Sequence, residues 1–243
     1  MFKKYFTVLF AFYGFFGLFA QQGFSPSISF GVRGGISHSN VYFDPVFRTR
    51  AVDVPGGGVF FKYISEPNLG VQLEMNYISH GWKEENDSLG PYSRKMNYLE
   101  FPFLTHIEIG KKTVKVILDL GPYVAIERGL TEEYNPLLRH NNTGDTIILG
   151  EKNYYGIKPE RAYDYGFLGG VGIGAETKMG FFSLDFRYKQ GLVNIFEKFP
   201  KGNFRYSYSQ SYFIGVSYSY KIVFKPRLLK NVDIAPEIKA TQN

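Results

Sequence analysis

Cysteine is absent from the 243-residue sequence, and tryptophan occurs once. The lack of cysteine excludes disulfide bonds, thiolate metal sites and cysteine nucleophiles, and it is compatible with export. Long apolar runs are also missing after residue 20, because charged residues interrupt each one, so no transmembrane helix is expected there. Aromatic residues are abundant instead, with 24 Phe and 19 Tyr. Such a composition is typical of proteins that anchor aromatic rings at membrane interfaces.

The positive charge of the chain is concentrated at its two ends. The formal net charge is +6, of which Lys3 and Lys4 contribute two and residues 221–243 contribute a net of three. Residues 21–220 are therefore close to neutral, at +1. A nucleic-acid-binding protein presents a basic stripe on its folded surface, and this distribution excludes one.

The first 20 residues have the three parts of a secretory signal peptide. Lys3 and Lys4 form a basic start, residues 5–19 are apolar, and Ala20 is a small residue at the expected cleavage point. An uncleaved anchor is the alternative. The apolar run is shorter than the ~20 residues that span a bilayer, and polar residues follow at once. The sequence therefore predicts a signal peptide over residues 1–20.

The rest of the chain alternates apolar and polar residues with a period of two, as β-strands with one apolar and one polar face do. The pattern is most regular over 69–77, 182–189 and 212–220. Each segment is near the ~9–11 residues that a tilted transmembrane strand needs. In all, eight strands are predicted, over residues 27–36, 59–63, 69–77, 98–103, 114–121, 166–174, 182–189 and 212–220.

The connections between these segments alternate in length along the chain. Three are short and rich in turn-forming residues (65–68, 110–112 and 177–180). The other four are long (37–55, 79–92, 129–162 and 191–205). Outer-membrane barrels have short periplasmic turns and long external loops in this alternation. The predicted fold is all-β, an eight-stranded antiparallel up-and-down transmembrane β-barrel of a Gram-negative bacterium, over residues 21–224.

The two faces of the predicted strands must meet different surroundings. In a membrane barrel the apolar face contacts lipid and the polar face lines the lumen. In a soluble lipocalin-like barrel, the alternative, the apolar face would enclose a ligand instead. The membrane interpretation is favoured because it also explains the loop alternation. It predicts a structural polar network in the lumen made of Arg33, Lys62, Glu74, Glu100, Asp119, Asp185 and Arg187.

This network predicts a plug rather than an open pore, because side chains just fill the interior of an eight-stranded barrel and buried charges must be paired. A path for protons or small ions is the alternative. No metal site or cofactor is expected. The four histidines (His38, His80, His106 and His140) lack the i, i+4 spacing of zinc motifs.

Several segments resemble the PorT-like family of outer-membrane β-barrel proteins of the Bacteroidetes. They are SISFGVRGGISHSN, LGVQLEMNYISHGW, NYLEFPFLTHIEIG, DLGPYVAIE and SLDFRYKQGLVNI, which together cover most of residues 27–220. The resemblance implies an eight-stranded outer-membrane barrel, and some members of that family are linked to secretion and gliding machinery. The chain departs from the family in its tail, where about twenty residues follow Phe224.

The expected function is non-enzymatic. We expect a structural or partner-binding accessory component of an envelope or secretion assembly, in contact with outer-membrane lipid and without nucleic acid. The external loop 129–162, rich in aromatic residues, or the basic periplasmic tail 225–243 would bind the partner. A narrow porin-like channel is one alternative. A lipid A-modifying enzyme is another, with Ser79 and His80, or Ser37, His38 and Ser39, as candidate residues near the rim.

Overall fold

The fold is known from a computed structural model that describes residues 25–46, 49–84, 92–110, 113–134, 137–140, 146–149, 159, 161–196 and 204–223. These ranges contain ten strands: β1 (Ser27–Asp44), β2 (Thr49–Ile64), β3 (Leu69–Glu84), β4 (Tyr92–Ile109), β5 (Val114–Tyr134), β6 (Leu137–His140), β7 (Thr146–Leu149), β8 (Tyr163–Thr177), β9 (Gly180–Gly191) and β10 (Tyr206–Val223). Within the described ranges, no helix is long and apolar enough to cross a bilayer.

Eight of these strands form a closed antiparallel barrel. The ring order is β1, β10, β9, β8, β5, β4, β3, β2, so each strand pairs with the barrel strands next to it in the chain. Strand β1 closes the ring on β10, in a register that runs from Ser27 opposite Val223 to Asp44 opposite Tyr206. Closure pairs the backbone groups of both edges, which a strand in lipid requires. The predicted eight-stranded up-and-down barrel is confirmed. The predicted signal peptide (1–20) and basic tail (225–243) lie outside the described residues.

One end of the barrel carries the short connections and is called the turn end below. They are residues 65–68, 110–113 and 178–179, as the sequence predicts. Gly110 and Gly180 have φ angles of +152° and +144°, which residues with a Cβ rarely adopt. The opposite end is called the loop end, and its β3–β4, β5–β8 and β9–β10 connections are longer. Its β1–β2 connection (45–48) has only four residues, so the long loop predicted over 37–55 is wrong.

Along each barrel strand, odd- and even-numbered residues point to opposite walls, one facing outward and the other facing the lumen. Ile36, Leu120 and Val216 point outward and are 60–66% exposed, whereas the charged Arg33 and Glu74 point inward and are buried. An apolar outer wall with a polar interior suits a lipid environment and not a soluble ligand-binding barrel. The predicted assignment of the two faces is confirmed.

The strands are longer than the sequence predicts, at 12–21 residues in the barrel. Parts of the loops predicted over 37–55, 79–92 and 129–162 are paired strand, whereas strand β9 enters the loop predicted over 191–205 only at Gly191. The prediction was wrong because it followed apolar alternation. On the outer wall that alternation ends near the loop end, at polar residues such as His38, Ser79 and Asn97. Backbone pairing continues past this level because it needs no apolar side chain.

The connection from β5 to β8 contains its own hairpin. Strand β6 pairs with β7 from Leu137 opposite Leu149 to His140 opposite Thr146. This hairpin forms a separate two-stranded sheet outside the barrel ring. It lies within the segment 129–162 that the sequence analysis proposed as a recognition loop.

Candidate functional site in the barrel lumen and at its loop end

The middle of the lumen holds a network of paired charges. Arg187 on β9 donates from Nη1 to both carboxylate oxygens of Glu74 at 2.9 Å, and from Nη2 to Asp119 Oδ2 at 2.7 Å. Arg33 on β1 donates to Glu74 at 2.8 Å and to Asp185 at 3.1 Å. The structure thus brings together five of the seven predicted lumen residues. Buried charges are tolerated when they are paired in this way.

Towards the turn end the network continues through His106 and Glu108. The ring nitrogens of His106 lie 2.6 Å from Asp119 Oδ1 and 3.0 Å from Glu108 Oε1. Glu108 also accepts from Lys62 at 3.2 Å and from Lys115 at 2.7 Å. Lys62 was predicted, whereas the roles of His106 and Glu108 were missed. Both are even-numbered residues of β4, like Glu100, and so face the lumen. The predicted strand ended at residue 103, and extending its alternation to residue 108 would have placed both side chains in the lumen.

Aromatic rings narrow the lumen beside these lysines. The ammonium nitrogen of Lys62 lies 5.9 Å from the centroid of the Phe60 ring and 5.5 Å from that of Phe181, within the range of cation–π attraction. Gly31 and Gly174 face these rings, and a Cβ at either position would overlap the ring beside it. The glycines on the lumen face therefore leave room for large neighbouring side chains.

Nearer the loop end lies a second group of buried polar residues, centred on Lys189. Its ammonium group donates to Glu100, the last of the seven predicted lumen residues, and to His80 Nε2 at 2.6 Å. His80 Nδ1 lies 3.3 Å from Ser39 Oγ. An ammonium group has donors and no acceptor, so Nε2 must accept and the neutral ring carries its proton on Nδ1. His80 therefore donates to Ser39 and has no free lone pair with which to deprotonate it.

Asp164 forms a third buried polar group beside Lys189. Its Oδ2 accepts hydrogen bonds at 2.9 Å from the hydroxyl groups of Tyr123 and Ser209. The ammonium nitrogen of Lys189 lies 4.9 Å from the centroid of the Tyr123 ring. These contacts join β5, β8, β9 and β10, four consecutive strands of the ring.

A small cavity separates the Lys189 group from the central network. Its volume is about 30 Å³, and Arg33, Arg187, Lys189 and Glu100 are among the residues that line it. Arg187 Nε has no hydrogen-bond partner among the described residues. One water molecule needs about 10–15 Å³ of such space, so the cavity has room for two or three water molecules.

The loop end of the lumen is filled by an aromatic cluster. The Trp82 ring makes edge contacts with Tyr92 and Phe196, at centroid distances of 6.5 and 5.9 Å. Phe43 contacts Trp82 at 5.2 Å and Phe204 at 4.8 Å. We call these five residues the aromatic cap. The sequence does not predict this cap, because its members lie in segments predicted as loops, outside the apolar alternation.

The residues proposed for a lipid A-modifying site do not assemble. Ser79 and His80 are adjacent and point to opposite faces: Ser79 donates to Asn97 at 2.6 Å, while His80 lies in the lumen. His38 is on the outer wall and pairs with Asp53 at 2.7 Å. Only Ser39 meets a histidine, the buried His80. Neighbours in a strand alternate between faces, and this separates the proposed pairs.

These features define the chain as a transmembrane β-barrel whose lumen is filled by its own side chains. The outer membrane protein beta-barrel domain family matches residues 19–197, more than half of the chain, and the protein belongs to this family. It is therefore a protein of the bacterial outer membrane, with its apolar outer wall in lipid, as predicted.

No curated protein matches the sequence significantly. Among solved structures, Ail of Yersinia pestis in complex with the heparin analogue sucrose octasulfate is similar at a TM-score of 0.41 and 13% identity, over 81% of this chain and 100% of Ail. OprG of Pseudomonas aeruginosa gives 0.41 and 13%, over 81% and 96%. The outer membrane enzyme PagL gives 0.37 and 13%, over 77% and 97%. The role of this chain is therefore argued from its own residues.

Proposed function

We propose that the protein is a non-conducting, non-enzymatic outer-membrane barrel that acts as a structural or partner-binding component of an envelope assembly. The filled lumen is the observation that carries this proposal. Charged pairs occupy its middle, the aromatic cap occupies its loop end, and the cavity between them has a volume of about 30 Å³.

The lumen contacts argue against a channel for solutes. Opening a path would separate Arg187 from Glu74 or Arg33 from Asp185, and each separation would break a buried ion pair, which is strongly unfavourable. The aromatic cap would also have to leave the loop end. A solute larger than water therefore has no route that preserves these contacts.

The chemistry of the lumen argues against catalysis. The Ser39 hydroxyl and the His80 ring are both buried, at 0% and 1% exposure, so a lipid substrate cannot reach them. The proton on His80 Nδ1 also prevents the ring from acting as a general base towards Ser39. A serine hydrolase needs the opposite arrangement, in which the ring nitrogen beside the hydroxyl is unprotonated.

The loop end offers the surface for a partner. Strands β3, β4 and β5 continue past the apolar band to Glu84, Tyr92 and Tyr134, and the β6–β7 hairpin follows β5. Recognition loops gain precision when a rigid scaffold holds them. The resemblance to PorT-like proteins supports a secretion or gliding assembly as the setting, with the turn end and the tail 225–243 in the periplasm.

Copurification after crosslinking in the producing bacterium tests this proposal. Three forms of the tagged protein are compared: wild type, a form in which a Gly-Ser linker replaces residues 135–161, and a form that ends at residue 224. We expect a specific partner with wild type and its loss in one of the shortened forms. Identical crosslinks in all three forms, or discrete conductance steps when purified wild type is added to a planar bilayer, would contradict it.

A further inference from the structure

The outer wall near the loop end carries tyrosines well above the lipid-facing band. Tyr42 on β1 lies opposite Tyr208 on β10, and Asn40 lies opposite Gln210. Tyr206 stacks on Tyr208 with the ring centroids 5.7 Å apart and the planes 24° apart. We call Asn40, Tyr42, Tyr206, Tyr208 and Gln210 the tyrosine patch. Tyr42 and Tyr206 remain 48% and 39% exposed, and a groove of about 420 Å³ runs beside Asn40, Tyr42 and Gln210.

The height of the patch places it beyond an ordinary lipid headgroup. Tyr212 and Tyr188 lie opposite each other, two residues past the apolar Ile214 and Phe186 on the same outer face, and so mark the edge of the hydrocarbon layer. Tyr208 and Tyr206 follow four and six residues farther along β10. With a rise of ~3.4 Å per residue and a tilt of ~40°, they stand roughly 10–15 Å above Tyr212. The headgroup layer on each side of a bilayer is only about 5–7 Å thick.

The five side chains of the patch are uncharged, and the ion pair between Asp44 and Arg205 (3.7 Å) lies beside Tyr206. Tyrosine offers an apolar ring face with a polar tip, and the amides of Asn40 and Gln210 both donate and accept hydrogen bonds. This combination suits sugars, whose C–H faces pack on aromatic rings and whose hydroxyl groups need both donors and acceptors. The outer wall on the opposite side of the ring, on β3–β5, carries Lys83, Lys95 and Glu133, with Lys95 and Glu133 3.6 Å apart, where the patch carries stacked tyrosines.

We propose that the tyrosine patch binds neutral sugars in the saccharide part of the outer-leaflet glycolipid. The patch is continuous with the lipid-facing wall below it. A molecule whose acyl chains cover Ile214 and Phe186 therefore presents its headgroup to Tyr212 and then to Tyr208 and Tyr206. A phospholipid headgroup is too short to reach these two rings, whereas an oligosaccharide attached to the same lipid extends past them.

The test uses the full chain purified in detergent and three probes: lipopolysaccharide from the same bacterium, the lipid A left after mild acid removes its saccharide, and the released saccharide. Binding is measured for wild type, for Tyr42→Ser/Tyr206→Ser/Tyr208→Ser, and for the control Lys83→Ser/Lys95→Ser/Glu133→Ser. Mobility on a gel before and after boiling verifies that each variant forms a closed barrel.

We expect wild type and the control to bind lipopolysaccharide and the released saccharide with similar affinity. The tyrosine variant should bind both at least tenfold more weakly, while lipid A binds all three proteins alike. Equal affinity of wild type and the tyrosine variant for the saccharide would overturn the proposal. So would wild-type binding that is confined to lipid A, or a tyrosine variant that loses a protein crosslink and keeps its saccharide affinity.

Discussion

Arg187 donates from one guanidinium nitrogen to both carboxylate oxygens of Glu74, at 2.9 Å each, across the full width of the lumen. Their strands, β9 and β3, are four positions apart in either direction around the ring of eight. The pair can form only when the barrel has closed. It therefore couples the stability of the interior to the closure of the wall.

Replacing one partner of this pair should destabilise the barrel strongly. Glu74→Ala removes the carboxylate that Arg187 and Arg33 share, although each arginine keeps one other carboxylate, and breaking buried ion pairs in this way costs about 3–5 kcal/mol. We expect the midpoint of urea unfolding, followed by gel mobility, to fall accordingly. Gln190→Ala, on β9 with a partly exposed side chain, is the matched control and should change stability by less than about 0.5 kcal/mol. An unfolding free energy for Glu74→Ala within that same margin would show that the central network is not required for stability.

A charge on the outer wall should block assembly. Phe186 points outward on β9 and is 44% exposed, so Phe186→Arg places a guanidinium group in lipid at a cost of about 2–4 kcal/mol. We expect loss of the faster-migrating unboiled band from outer-membrane extracts. Ser183→Ala on the same strand removes a buried hydroxyl that lies 2.6 Å from Ser217 Oγ, and it should still assemble. Equal behaviour of the two variants would contradict the assignment of faces.

The aromatic cap should contribute to stability. Trp82 is 1% exposed and contacts Phe43, Tyr92 and Phe196, so Trp82→Ala leaves a cavity and should cost about 3–5 kcal/mol. The measurement is the temperature at which the folded band disappears. Tyr77→Ala, on the outer wall of the same strand, should lower that temperature by much less. A Trp82→Ala barrel as heat-resistant as wild type would mean that the cap is loosely packed.

The Ser39 and His80 pair should have no catalytic role. Overproduction of wild type and of Ser39→Ala is expected to leave the mass spectrum of lipid A identical to that of cells without the protein, because Ser39 is buried and accepts a hydrogen bond from His80 rather than donating one. A new lipid A species that appears with wild type and disappears with Ser39→Ala would establish an enzyme instead.

The sequence predicts the wall of the barrel better than its contents. Period-two alternation identifies all eight barrel strands and places Arg33, Glu74 and Arg187 on the lumen face. It does not identify the aromatic cap, because Trp82 and Phe43 lie where the outer-wall residues are polar and the apolar alternation has ended. It also suggests Ser79 and His80 as a pair, although neighbours along a strand point to opposite faces.

The sequence by itself determined that this chain is an outer-membrane barrel. A strand in lipid needs an apolar residue at every second position, and this alternation is visible in the order of neighbouring residues. Only the tertiary structure decided which charges pair across the lumen, that Lys189 sets the proton position on His80, and that Tyr42 lies opposite Tyr208. These relationships depend on strand register and on closure of the ring, which join residues more than a hundred positions apart and leave no periodic signal in the chain.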